Sequence, residues 1–122
     1  MPQNEVQYAE NGPPQQPVSR PPMNLFKPDQ AEGPAETFDT LLDQPHITIM
    51  RILSPPETVT EMAAQSHDEW VCVLQGSARL EMEGRVIQLH RGDQVLIPAH
   101  TPHRVLTTSH RPHCLWLAVH IR

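Results

Sequence analysis

From residue 69 onward the chain alternates between apolar and polar positions. In "SARLEM" (77–82), Ala78, Leu80 and Met82 interleave with Ser77, Arg79 and Glu81, the period-two pattern of a half-buried strand. "EWVCVL" (69–74), "RVIQLH" (85–90), "QVLIP" (94–98), "HRVLTT" (103–108) and "HCLWLAVHI" (113–121) read the same way. Upstream, "HITIMRIL" (46–53) has β-branched strand content and stops at Pro55-Pro56, while "ETVTEMAAQ" (57–65) reads as a weaker strand. Gln75-Gly76, Glu83-Gly84 and Arg91-Gly92-Asp93 supply the turns. Strands recurring every 8 to 12 residues predict an all-β antiparallel sandwich or barrel. No helical period of useful length intervenes, which excludes a parallel α/β sheet. In "NLFKPDQAEGPAETFDTLLDQP" (24–45), Phe38, Leu41 and Leu42 fall at i, i+3 and i+4. They predict one short helical or irregular element.

The first 23 residues are rich in Pro, Gln and Asn and carry little that is apolar. Such a segment buries too little surface to offset its ordering entropy, so residues 1–23 are expected to form a disordered tail and 24–122 a single domain. The formal charge of -5, with no Lys/Arg cluster, argues against a nucleic-acid partner. No apolar run approaches the length of a membrane span, and the N-terminus lacks the basic and apolar stretches of a secretory signal. Cys72 and Cys114 lie inside strand patterns and are expected to be free thiols in a reducing cytoplasm.

Candidate chemistry begins at "QSHDEWVCVLQG" (65–76). On a strand, Gln65, His67 and Glu69 share a face that continues through Val71 and Val73 toward the core. A carboxylate in line with core valines costs several kcal/mol unless it is paired or ligated. Downstream, Pro98 and Pro102 frame a loop that carries His100 and His103. Imidazoles and a carboxylate on a β scaffold make a donor set for Zn, Fe, Mn or Ni.

These residues give the chain a resemblance to the cupins, small jelly-roll barrels of antiparallel strands. Glu69 and Gly76 match the end of the family's first motif; Gly92, Pro98 and His103 match the second. The ending "IPAHTPHRV…WLAVHI" resembles short bacterial single-domain members. The resemblance implies that Glu69 and His103 are ligands of a divalent metal ion. It also implies a His-x-His pair at two positions that here hold Ala63 and Gln65, and His100 and Thr107 replace the second motif's later glycine and asparagine.

Residues two apart on a straight strand are separated by about 6.6 Å, and residues four apart by about 13 Å. The expected metal site is therefore His67, Glu69 and His103, with Gln65 as the alternative fourth ligand if the strand bends. His120 shares a face with Cys114, Trp116 and Ala118 and reads as a core or interface histidine able to point into the barrel. Trp70 and Trp116 read as packing residues, one of them a candidate pocket wall. Exposed sheet edges and the resemblance together imply a homodimer. Two functions follow: a metal-dependent enzyme acting on a small molecule, with His100 as a rim acid or base, or a metal-free module binding a small ligand in the barrel.

Overall fold

The computed structural model describes residues 21–28 and 34–122; the tail expected over 1–23 lies, through residue 20, outside the described residues. Eight strands follow in order: β1 (Thr37–Gln44), β2 (Ile47–Ser54), β3 (Asp68–Gln75), β4 (Ser77–Met82), β5 (Arg85–His90), β6 (Gln94–Ile97), β7 (His103–Thr108) and β8 (Cys114–Ile121). They form a five-stranded sheet, β1-β2-β8-β3-β6, and a three-stranded sheet, β5-β4-β7, with every pairing antiparallel. This is the expected all-β jelly roll.

The alternation in sequence sets the register. Val71 pairs with Ala118 and Val73 with Trp116 across β3 and β8, so all four face the opposite sheet. From β4, Ala78, Leu80 and Met82 meet them in the core, while Arg79 is exposed. Complete burial of a valine such as Val73 stabilises the fold by about 1.5–3 kcal/mol. Trp116 adds a polar atom to this interior: its Nε1–H donates to Ser54 Oγ (3.0 Å), whose hydroxyl donates to Glu36 Oε2 (2.6 Å). Cys72 and Cys114 are free thiols; burial, aided by Glu36, pushes the Cys114 thiol up to about 12.

Two expected elements differ. Phe38, Leu41 and Leu42 lie on the edge strand β1 and not on a helical turn. The register shifts between Thr40 and Leu42, so Leu41 is an extra residue, and such a bulge breaks the period of two that marks a strand. The weaker strand expected over 57–65 is instead an extended segment with one isolated bridge, Ala63 to His103. Threonine hydroxyls interrupt its ladder to β7. Thr60 N–H donates to the Val105 carbonyl, but the Val105 N–H donates to Thr60 Oγ1 and the Thr58 N–H to Thr108 Oγ1. The segment thereby stays beside β7 and carries Gln65 back to the start of β3.

Gly76, where the chain leaves β3 for the other sheet, adopts φ +79°, and a Cβ there would lie 2.5 Å from Ser109 Oγ and 2.8 Å from the His113 carbonyl. Ser109 Oγ is itself held by the Ser77 N–H and bonded to the Pro112 carbonyl. Gly76→Ala is therefore expected to destabilise the protein by about 3 kcal/mol or more in urea unfolding, through strain and steric overlap together. A loss below about 1 kcal/mol would show that this crossing is not tight.

Candidate functional site

Glu69 enters β3 opposite Ile97 of β6 and His120 of β8, one step before the core valines. It is 8% exposed. Its Oε1 accepts a hydrogen bond from Gln65 Nε2 (3.0 Å) and lies 3.8 Å from His103 Nε2; its Oε2 lies 3.7 Å from His120 Nε2. On the far side of His120, Nδ1 lies 2.7 Å from His67 Nε2, and the two rings tilt at 59°. One proton serves that nitrogen pair, so the two imidazoles are bonded in series behind the carboxylate.

The loop after β6 brings His103 to this place. Ala99 N–H donates to Asp68 Oδ1 (2.8 Å), and His100 N–H donates to the Gln65 carbonyl (2.6 Å), which ties residues 98–102 to the approach to β3. His100 makes that contact from the left-handed region, at φ 65°, where a non-glycine residue is strained by about 1–2 kcal/mol. Its side chain is exposed and does not line the site. His103 Nδ1 lies 2.9 Å from the Thr101 carbonyl. A carbonyl only accepts, so Nδ1 carries the proton, and Nε2 is the lone-pair atom of the neutral ring.

Gln65, Glu69 and His103 form the polar end of a cavity of about 340 Å³ inside the barrel. Its walls are Phe38, Ile52, Leu80, Ile97, Val105 and Trp116, and Glu36 and Glu61 complete the acidic lining with Glu69.

The cupin domain family model matches residues 50–120. That span is more than half of the 122 residues. The chain is a cupin. A solved structure from Ralstonia eutropha JMP134, provisionally named a mannose-6-phosphate isomerase, shares 35% identity over 84% of this chain and 98% of its own, with a TM-score of 0.75. A cupin superfamily protein from Desulfitobacterium hafniense DCB-2 has 18% identity, covers 86% and 93% of the two chains and gives a TM-score of 0.72. An RmlC-like cupin from Desulfovibrio desulfuricans has 16% identity, with 84% and 96% covered and a TM-score of 0.70. No curated protein matches the chain.

In this cupin the four positions at which the family's metal-binding members carry ligands do converge on the cavity, as Ala63, Gln65, Glu69 and His103. The chemistry at two of them has changed. An alanine methyl donates nothing, and the Gln65 amide turns an N–H to Glu69. Among the described residues, no three of the His, Cys, Asp and Glu side chains assemble into a group able to hold an ion. The donor set does not fit the family's four-ligand centre. Strand parity grouped His67 with Glu69, but His67 reaches Glu69 only through His120, because the turn at residues 66–67 takes it off the line of β3. The bend needed for Gln65 to reach Glu69 is present. His120, expected to be a core or interface histidine able to point into the barrel, stands against the carboxylate, in keeping with its parity with Trp116 and Ala118. Trp116 is the tryptophan that walls the pocket, and Trp70 instead donates to Gln94 near the surface.

Burial pushes the His120 imidazole below its ordinary 6.5; Glu69 pulls it back up, and His67 and Arg122 push it down. The folded value is thus lowered relative to the unfolded chain. Stability linked to His120 is full above pH 6.5 and is lost as pH falls toward the folded value. His120→Gln is expected to flatten the decline in unfolding free energy between pH 7.5 and pH 5 relative to the unaltered protein. Parallel curves for the two proteins would exclude this role.

Proposed function

We propose that this cupin is a small-molecule binding protein that works without a resident metal ion, its ligand seated in the barrel cavity with one polar end at Gln65, Glu69 and His103. The observation that carries the reading is the cavity itself. About 340 Å³ falls within the range of roughly 300–1,000 Å³ usual for small-molecule sites, and apolar walls with a few convergent polar groups are their usual lining. The buried carboxylate supports it further. An ionised carboxylate offers about four acceptor sites, and among the described residues Gln65 alone donates to this one.

The name of the Ralstonia relative points to a phosphorylated hexose. Among the described residues the lining contains no Lys or Arg, and the described elements are all strands, so none of them supplies helix N-terminal amides for a phosphate. That substrate is not carried over.

The competing reading is a divalent ion on Glu69 and His103, with the Gln65 amide oxygen as a third donor. The observation in its favour is the Thr101 carbonyl on His103 Nδ1, which leaves Nε2 turned to Glu69 as a ligating imidazole would be. Chelation separates the two. An ion present at a hundred times its dissociation constant stabilises the folded state by about 2.7 kcal/mol, a melting shift on the order of 10 °C for a domain of this size. Under the metal-free reading, protein purified without added metal melts at the same temperature before and after EDTA, and Zn²⁺, Mn²⁺, Fe²⁺ or Ni²⁺ restores nothing. A fall of several degrees on chelation, reversed by one of these ions and absent in Glu69→Gln, establishes the ion instead.

A further inference from the structure

We infer that the cavity is selective for charge as well as for size: its ligand is a cationic amine with an apolar body, and phosphorylated or carboxylated molecules are excluded. This rests on the small-molecule reading above and specifies the class of ligand.

The inference comes from counting donors and acceptors at the polar end. Glu69 is an acceptor, more than nine-tenths buried. His103 is committed by its Nδ1–H bond to the Thr101 carbonyl, so in the neutral ring Nε2 is also an acceptor. Gln65 turns one N–H to Glu69, which leaves its amide oxygen as an acceptor beside a single further N–H. Three side chains thus offer lone pairs at one end of the chamber. An ammonium group answers them, with three N–H donors, one positive charge and no acceptor.

Electrostatics selects the same ligand. The charged lining is Glu36, Glu61 and Glu69, with no Lys or Arg among the described residues. Glu36 is fixed by the Ser54 hydroxyl (2.6 Å), which Trp116 holds in turn, so its carboxylate belongs to the wall. Glu61 is exposed at the rim. A cation in the cavity is attracted by each of these carboxylates, and an anion is repelled by each. A phosphate, with a charge of about −1.5 to −2 at neutral pH, meets only repulsion and no donor array. The remaining walls, Phe38, Ile52, Leu80, Ile97, Val105 and Trp116, suit an aliphatic or aromatic body.

The test uses three probes of one shape on the full chain, by calorimetric titration at low salt. They are 2-phenylethylamine, 2-phenylethanol and 3-phenylpropanoate, with glucose 6-phosphate as a fourth. The amine is expected to bind about tenfold or more tightly than the alcohol, a difference of about 1.4 kcal/mol. The two anions are expected to give no heat. The amine's advantage should shrink with added salt. Glu69→Gln keeps the shape of the side chain and should reduce the amine to the affinity of the alcohol. Glu61→Gln, at the exposed rim, should weaken the amine by a smaller factor than Glu69→Gln does. Equal or tighter binding of the alcohol or an anion in the same cavity overturns the charge inference while leaving the small-molecule reading intact. Failure of every probe, whatever its charge, overturns both.

Discussion

The structure depends on one buried carboxylate. Glu69 stands at the head of β3 in line with Val71 and Val73, 8% exposed, where an unpaired ion would cost several kcal/mol. One hydrogen bond offsets part of that cost. Gln65 donates to one oxygen, while His103 and His120 stand within 4 Å without hydrogen-bonding to it, which leaves acceptor sites unfilled. The approach to β3, the loop after β6 and the last strand converge on this group. The same side chain closes the polar end of the cavity.

The two sides of Glu69 differ in character. Toward the cavity lie Gln65 and His103, open to whatever the barrel holds. Behind it lie His120 and His67, joined nitrogen to nitrogen at 2.7 Å, with His120 held below its ordinary protonation range by burial. An imidazole kept neutral can accept or donate without adding a second buried charge. The only hydrogen bond to the carboxylate among the described residues comes from Gln65, on the cavity side.

Much of this was legible in the sequence, and the rest failed for identifiable physical reasons. The alternation in "SARLEM" and the inward parity of Glu69, Val71 and Val73 were readable because burial alternates residue by residue through Val73 in β3 and along β4. Strand β1 was misread because the bulge at Leu41 gives its apolar residues a helix-like spacing. The 57–65 segment was read as a strand because its β-branched residues suit one, but the threonine hydroxyls take over part of its ladder, and no local pattern reports that. His67 was grouped with Glu69 by parity, which assumes an extended chain, and the bend at residues 66–67 breaks that assumption. His120 was underweighted because its partner lies 51 positions away in sequence, across a strand pairing that local reading does not supply. The left-handed backbone at His100 explains in retrospect why glycine is the family's usual residue there.

The most direct test of a metal-free, inward-facing Glu69 is an anomalous-difference map, from crystals of protein purified with neither added metal nor chelator, collected across the Mn, Fe, Ni and Zn edges. The account predicts Glu69 facing the cavity, bonded to Gln65, with no anomalous peak between its carboxylate and His103 Nε2. A full-occupancy peak at that point, or a Glu69 side chain turned out to solvent, would contradict it.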